Sequence, residues 1–362
     1  MNFSNKISVL QMSCILMMTV GLANHVTMIP LLLQTAKRDS WLGVAAAFLI
    51  FTAWIWIPYA IGKRTNQMHL ADWLTVHVGR WFSLVMQCGV SLYLFSIAIV
   101  ALKETTVWTK VTYLPHTPLL VIVAGFLLLC SYTARKGIQS IAITAGLLLP
   151  FVIALGYFVM GANFQYKRYV LLFPLFTNDP SAIVRSALYV GGGLIELIMI
   201  LFMQHHLKQR VRWIHYFILL AIMVGLTMGP LIGSIASFGP EQAAMLRYPA
   251  YEQWRLVQIG DYVAHVDFFS IYQWLSGSFL RVSLSIFLIV DVLKIEAKQR
   301  RFLTINLLCA ALFIAGMLPF NDMEYLTVVP HYYAATFIAV LLGSLLLFAV
   351  VSIKSKSKGN NL

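Results

Sequence analysis

Two ionisable residues stand deep inside long apolar stretches of the sequence, where a charge is costly. Glu196 follows three consecutive glycines, Gly191–Gly193, and Arg281 lies near the middle of the apolar run 266–292. They are the only oppositely charged residues placed deep enough in such runs to compensate one another. They could form a structural ion pair that fixes helix register, or they could mark a ligand site. Both interpretations stay open for Arg281, whereas the neighbouring glycines favour a functional role for Glu196.

Glycines also interrupt two of the apolar runs. The first run is broken around Gly21, Leu22, Ala23 and Asn24, and the sixth around the three glycines before Glu196. Each glycine lowers helix propensity by about 1 kcal/mol. A helix broken inside a bilayer frees N–H groups that suit a carboxylate and carbonyls that suit an ammonium. The two interruptions therefore predict discontinuous helices around a site for a zwitterion such as an amino acid, although a single glycine is often only a packing residue.

Hydroxyl side chains in two other runs could contribute to the same site. Tyr93 and Ser96 lie in the third run, and Ser278 shares a helix face with Arg281 three residues later. Packing is the alternative for Tyr93, and a bond to its own helix carbonyl is the alternative for Ser278. The positive charge of Arg281 could also take the place of a coupling sodium ion.

The composition indicates which kind of structural element holds these residues in place. The chain of 362 residues is 60% hydrophobic and 11% charged, with a mean hydropathy of +0.81, whereas soluble domains carry about 25% charged residues. This excludes a soluble globular protein and predicts an all-α integral membrane protein. A bilayer span needs about 20 apolar residues. The apolar runs predict ten transmembrane helices, at about 7–35, 40–61, 81–102, 117–133, 138–160, 180–204, 213–237, 266–292, 303–320 and 332–352.

The charge distribution predicts the orientation of these spans. Assigning alternate loops to opposite faces puts the whole net charge of +13 on the N-terminal side and leaves the other face neutral. Basic loops stay cytoplasmic, so both termini are predicted inside, and residues 354–362 form a basic tail against anionic lipid. The excess of positive charge therefore reports topology and does not indicate nucleic-acid binding.

Other chemistries have little support in the sequence. The four cysteines all lie in apolar runs, which predicts buried thiols with neither a disulfide framework nor a metal site. We find no nucleotide-binding motif and no nucleophile with a base, so neither an enzyme nor a cofactor is expected. His205 and His206 precede basic residues and are expected in a solvated cytoplasmic loop, with no metal bound.

The two interruptions also indicate an internal repeat. They are about 170 residues apart. A polar stretch at 66–80 lies between the second and third spans, and its counterpart at 248–266 lies between the seventh and eighth spans on the opposite predicted face. Five spans per half would invert one half relative to the other. The sequence thus predicts one transmembrane domain, 1–353, made of inverted repeats at about 7–160 and 180–352.

Several short motifs resemble those of one known family. They are Leu114-Pro115-His116-Thr117-Pro118, Ala134-Arg135-Lys136-Gly137-Ile138, the Gly193-x-x-Glu196 step, and Tyr248-Pro249 followed by Asp261, Asp267 and Trp274. Together they resemble the B subunit of nutrient germinant receptors in spore-forming bacteria, a family similar to the amino acid/polyamine/organocation transporters. The resemblance runs from about residue 7 to residue 353.

This resemblance implies a LeuT-like 5+5 fold in the inner membrane of the spore, beside an A subunit and a lipoprotein C subunit. The ligand would be a small germinant such as an amino acid. The site residues carried over to this chain are Gly21, Leu22, Ala23, Asn24, Tyr93, Gly192, Gly193, Glu196 and Ser278, with Arg281 as a buried partner or ion surrogate. Where relatives carry an acid–arginine pair before the eighth span, this chain has His265-Val266-Asp267 and lacks the arginine.

Two functions from different classes fit these features. A receptor subunit would bind a germinant and trigger germination, since sensing needs only different affinities in two states. A proton- or ion-coupled amino acid permease would need the same pocket. A structural scaffold is a third class, and it would tolerate substitutions at Gly192 and Glu196.

Overall fold

Backbone N–H and C=O groups have no water to pair with in hydrocarbon, so apolar runs of this length fold as helices. The computed structural model describes residues 6–258, 266–319 and 322–359. Within these ranges the regular elements are helical, and a single bridge, Ile7 to Leu207, is the only strand-like pairing. Asp261 and His265 lie outside the described residues.

The described residues contain sixteen α-helices, of which eight lie in the first half of the chain. They are α1 (Val9–Leu22), α2 (Met28–Ala36), α3 (Ser40–Trp54), α4 (Trp56–Arg64), α5 (Leu70–His77), α6 (Arg80–Thr112), α7 (Leu119–Lys136) and α8 (Ile138–Ala162).

The second half contains eight more. They are α9 (Pro180–Leu194), α10 (Met199–Met203), α11 (Trp213–Phe238), α12 (Pro240–Met245), α13 (Pro249–Arg255), α14 (Phe269–Val292), α15 (Lys298–Met317) and α16 (Asp322–Gly359). The basic tail is thus helical as far as Gly359, and residues 360–362 lie outside the described part.

Nine helical segments of the described chain are long and apolar enough to cross a membrane, which fits a multi-pass membrane protein. The first of them, Val9–Arg64, has 56 residues and would be about 84 Å long as one helix. A bilayer core is only about 30 Å thick. The 3₁₀ turn Lys37–Asp39 divides this segment, with Lys37 at φ 43°, so each part is long enough to cross by itself.

Burial separates central from peripheral spans. In the segments Pro180–His206 and Val266–Val292, 83% of the most apolar stretch is buried inside the protein. In Lys298–Met317 and Thr327–Lys354 the buried share is only 17%, and exposed leucine and isoleucine side chains face outward there. The sixth and eighth predicted spans are therefore the interior of the fold.

The predicted breaks at glycine are wrong in their backbone geometry. Gly191–Gly193 lie inside α9, and the helix continues as a 3₁₀ turn, Ile195–Ile198, before α10. In the first span, α1 ends at Leu22 and a π-helical segment, Ala23–Thr27, leads into α2. The chain stays helical at both places. Each irregular turn nevertheless begins within two or three residues of the predicted interruption, and π segments are frequent at functional sites.

Close packing explains why glycine occupies the positions at which the sequence predicts helix breaks. A Cβ atom on Gly192 would lie 2.6 Å from the backbone oxygen of Tyr333 in α16. A Cβ atom on Gly193 would overlap Oδ1 of Asn24 in the π segment. The glycines let α9 approach two neighbouring segments, which is the packing role often seen in membrane helices.

The expectation for His205 and His206 is also wrong. They form the end of the 3₁₀ turn Gln204–His206, and their side chains are 11% and 21% exposed beside Asp291 of α14. The backbone N–H of Ile7 donates to the carbonyl of His206 at 2.9 Å. This pairing holds the segment against the start of the first span, so it is not a solvated loop.

Gly192→Ala tests the packing role. We expect it to lower the thermal stability of the detergent-purified chain, because the added methyl group collides with the backbone of α16, which cannot move as a side chain would. Gly225→Ala in α11 is the matched control, since nothing lies within 4 Å of its Cβ position. That control should leave the melting temperature unchanged or raise it slightly through helix propensity. Equal melting temperatures for the two variants would contradict the account.

Candidate functional site

The two deep charges of the sequence meet in a bidentate ion pair. Arg281 Nη1 donates to Glu196 Oε2 at 2.6 Å, and Nη2 donates to Oε1 at 2.5 Å. The side chains are 5% and 2% exposed. The 3₁₀ turn after α9 positions Glu196, and the centre of α14 positions Arg281. A bidentate guanidinium–carboxylate pair fixes both partners in geometry as well as in charge.

A third segment joins this pair. Arg281 Nη1 also donates to the backbone carbonyl of Thr19 in α1 at 2.9 Å. That carbonyl lies one turn before the π segment. One guanidinium therefore connects the first, sixth and eighth predicted spans at the place where the first changes its helical geometry.

A small cavity lies against Arg281. It is lined by apolar and polar side chains from four regions of the fold: Ala23, Thr27, Val100, Ala101, Glu104, Thr105, Trp274, Ser278, Arg281 and Tyr333. Its volume is about 10 Å³, which is room for about one water molecule. The space is thus too small for a larger ligand in this conformation, and such a ligand needs the surrounding helices to move.

A second buried carboxylate faces the cavity. Glu104 of α6 is 6% exposed, and its Oε2 accepts a hydrogen bond from the hydroxyl of Thr27 in the π segment at 2.6 Å. Arg247 Nη1 lies 3.9 Å from the other carboxylate oxygen. The cavity therefore has a cationic group, Arg281, and an anionic group, Glu104, in its wall.

Hydroxyl groups line the cavity between the charges. Thr105 and Ser278 hydrogen-bond to one another across α6 and α14, with their oxygens 2.5 Å apart. The indole N–H of Trp274 donates to the Thr105 hydroxyl at 3.2 Å. Ser278 does not bond back to its own helix carbonyl, which was the alternative raised by the sequence.

An aromatic cluster covers one side of the cavity. Trp274 stacks on Trp108, with ring centroids 4.1 Å apart, and Tyr113 and Tyr251 pack edge-on against Trp108. The Tyr251 hydroxyl donates to Asp267 Oδ2 at 3.0 Å. Burial raises the pKa of Tyr251, so its phenol stays a neutral donor. The Asp267 carboxylate thus has a tyrosine hydroxyl as a partner.

The predicted site residues fall into three groups. Ala23, Ser278 and Arg281 line the cavity directly. Glu196 reaches it through its bond to Arg281. Tyr93 is partly buried and close enough to interact electrostatically with Glu196 and Arg281. Gly21, Asn24, Gly192 and Gly193 are not among the described residues that line the cavity, and Leu22 is described only by its backbone.

Three of these residues have further structural features. Asn24 is fully buried, and neither its Oδ1 nor its Nδ2 has a hydrogen-bond partner among the described residues. Gly21 packs toward Leu226 of α11, where a Cβ atom would lie 2.9 Å from a methyl group. Leu22 ends α1, and its side chain is outside the described part.

Sequence reasoning missed several residues of the cavity wall. The missed residues are Thr27, Val100, Ala101, Glu104, Thr105, Trp274 and Tyr333, of which Trp274 was noted only as a family motif. The predicted third span ended at residue 102 and placed Glu104 in an outer loop. In the structure α6 continues to Thr112. The uninterrupted helical sequence beyond Lys103, with no glycine or proline before Pro115, was the available signal.

These features define the class of protein. It is an all-helical, multi-pass membrane protein with a buried cavity that has opposite charges in its wall. The sequence model of the family described as "Spore germination protein" matches residues 6–325. The chain therefore belongs to the spore germination protein family, which confirms the resemblance given by its motifs. This is a family of membrane proteins and not an enzyme family.

Curated relatives support the same assignment. The chain is 38% identical to Spore germination protein XB of Bacillus anthracis, over 96% of this chain and 98% of that protein. It is 22% identical to Putative spore germination protein YfkT of Bacillus subtilis strain 168, over 72% of each chain. Spore germination protein A2 of the same organism is 19% identical, over 88% of this chain and 87% of that protein.

The ion pair predicts a specific pattern of stability. Glu196→Gln leaves the Arg281 guanidinium buried without an anion, and breaking such a pair costs about 3–5 kcal/mol. We expect a clear loss of thermal stability in detergent. The double variant Glu196→Gln with Arg281→Met removes both charges and should recover much of that loss. A double-variant cycle of melting temperatures measures the coupling, and additive losses would contradict a paired role.

Proposed function

We propose that this chain is the nutrient-sensing subunit of a spore germinant receptor, and that it binds an amino acid or a similar small zwitterion in the cavity beside Arg281. The cavity is the observation that supports this proposal most directly, because a carboxylate, a guanidinium and hydroxyl groups line it together. Ionisable residues inside membrane helices are costly and are by default marks of a site.

The chemistry of the wall fits a zwitterion. The Glu104 carboxylate, which already accepts the Thr27 hydroxyl, can accept an α-ammonium group. The guanidinium of Arg281 and the hydroxyls of Thr105 and Ser278 can donate to an α-carboxylate. The π segment Ala23–Thr27 borders the same space. The expected binding residues beyond the wall, Gly21, Leu22, Asn24, Tyr93, Gly192 and Gly193, would act by shaping it.

The small size of the cavity supports sensing by conformational change. A space of about 10 Å³ admits no amino acid. Binding therefore requires a second conformation in which the wall is wider. A ligand with different affinity for the two conformations shifts their populations by that difference, and partner subunits could respond to the shift.

We further propose ten membrane passes in a LeuT-like pair of inverted repeats, 7–160 and 180–352, within one transmembrane domain. The length of the segment Val9–Arg64 and its turn at Lys37–Asp39 support two passes there. The short helices α5 and α13 occupy the two polar stretches that an inverted repeat pairs. The asymmetry of the loop charges supports cytoplasmic termini.

The partners and the location in this proposal come from the family. The resemblance to B subunits implies an A subunit and a lipoprotein C subunit in the inner membrane of the spore. Two of the curated relatives, in Bacillus anthracis and Bacillus subtilis, are also named as spore germination proteins over almost the same length of chain.

An amino acid permease is the second candidate. The same buried charges that favour a zwitterion site would serve transport, and Arg281 could occupy the position of a coupling cation. Sensing without transport and coupled transport differ in one outcome only, which is net movement of the ligand across the membrane.

Glu104→Gln tests the ligand site in spores. A charge-assisted hydrogen bond is worth about 1.5–3 kcal/mol, so the concentration of the triggering amino acid for half-maximal germination should rise at least about tenfold. A panel of the twenty common amino acids identifies the trigger, and immunoblots verify equal protein levels.

Glu241→Gln is the matched control for that experiment. Glu241 is an exposed partner of Lys37, so its loss should leave the response unchanged. A wild-type response of Glu104→Gln spores at normal protein levels would contradict the proposed site.

Vesicle uptake separates sensing from transport. Proteoliposomes that contain only this chain are mixed with the labelled triggering amino acid, with and without a pH or sodium gradient. The sensing proposal predicts no accumulation above protein-free vesicles, although the ligand should still raise the melting temperature of the chain. Gradient-dependent accumulation would overturn a purely sensory role and favour the permease.

A further inference from the structure

A second cluster of chemically active side chains lies at the opposite end of α14 from the aromatic cluster. Its members come from three separate segments, the linker before α5, the turn after α10 and the last turn of α14. They are His69, His205, His206 and Asp291. All four lie on the face to which the loop charges assign the cytoplasm.

The imidazoles converge on one oxygen atom. The Nε2 atoms of His205 and His206 lie 3.1 and 3.2 Å from Asp291 Oδ2, and that of His69 lies 3.9 Å from it. The four side chains are between 11% and 21% exposed, so the cluster is mostly buried but not fully enclosed.

Hydrogen bonds within the protein do not use the full capacity of these rings. The Nδ1 atoms of His69 and His205 are buried, and neither has a hydrogen-bond partner among the described residues. The His69 and His205 rings contact each other edge-on, with centroids 4.4 Å apart. His69 Nε2 donates to the backbone carbonyl of Asp291 at 3.2 Å, whereas the Nε2 atoms of His205 and His206 share one carboxylate oxygen of the same residue.

We propose that this cluster is a binding site for a divalent transition-metal ion of the zinc class. Ligand atoms of His69, His205 and Asp291 lie within 4.8 Å of one another, which is close enough for one ion. Zinc binds histidine nitrogen and carboxylate oxygen at about 2.0–2.2 Å in tetrahedral geometry, so neighbouring ligand atoms should be roughly 3.4 Å apart. The separations of 3.1 and 3.2 Å between the histidine nitrogens and Asp291 Oδ2 match that edge. His69 needs to exchange its bond to the Asp291 carbonyl for the ion.

The position of the site means that a bound ion would connect three segments of the protein. Asp291 belongs to the end of the eighth span, His205 and His206 to the end of the sixth, and His69 to the linker between the second and third. An ion bound by all three segments holds these ends together. It therefore favours the conformation in which this side is closed and opposes any state in which the segments separate.

Cobalt titration tests the site. The full chain is purified through a tag without histidine and treated with a chelator, and Co²⁺ is then added. We expect one equivalent to bind with the visible absorption of tetrahedral cobalt and Zn²⁺ to displace it. His205→Ala and Asp291→Asn should weaken binding at least tenfold. His116→Ala, an exposed histidine between α6 and α7, is the matched control and should bind as wild type.

X-ray absorption of the zinc-loaded wild-type chain provides a readout that needs no variant. Histidine and carboxylate ligands in the zinc shell support the site. No stoichiometric binding by the wild type, or equal binding by the wild type and both cluster variants, overturns it. None of these measurements depends on a germinant, so their failure would leave the proposed ligand cavity untouched, and the reverse also holds.

Discussion

A guanidinium inside the hydrophobic part of a membrane protein must have an anion and hydrogen-bond acceptors, because the cost of leaving it unpaired there is several kcal/mol. In this chain Glu196 supplies the anion and the carbonyl of Thr19 supplies a further acceptor. The requirement fixes the positions of α1, the 3₁₀ turn after α9, and α14 relative to one another. The π segment, the cavity and the glycine contacts of α9 are all arranged around this junction.

The contacts of Arg281 with Glu196 and Thr19 also explain how a ligand in the cavity would affect distant parts of the protein. Arg281 is both a wall of the cavity and the link between three spans. A ligand carboxylate that bonds to the guanidinium would compete with Glu196 and Thr19 for the same N–H groups. Rearrangement of α14 would then move Asp291 at its far end. The cavity lies along the first half of α14 as far as its centre, and the histidine cluster lies at its last turn. A ligand at either place can therefore bias the position of the same helix.

The sequence predicted a multi-pass helical membrane protein and gave a Glu196–Arg281 ion pair as one of two interpretations, because apolar length and the cost of an isolated charge are readable without contacts. The predictions were wrong where tertiary packing determines the local structure. Gly192 and Gly193 looked like helix breaks, but their neighbours Tyr333 and Asn24 are remote in sequence, so only the structure shows that they are contact points. Glu104 and His205 were assigned to loops because their burial depends on helices that lengthen or meet through tertiary contacts.

The central claim is that a zwitterion binds in the cavity between α6, α14 and the π segment. The most direct test is an electron cryo-microscopy structure of the full chain with the amino acid that raises its melting temperature most within a panel of the twenty common ones. The account predicts ligand density bordered by Thr27, Glu104, Ser278 and Arg281, in a cavity wider than the present 10 Å³. Density for the amino acid elsewhere, with this cavity closed, would contradict it.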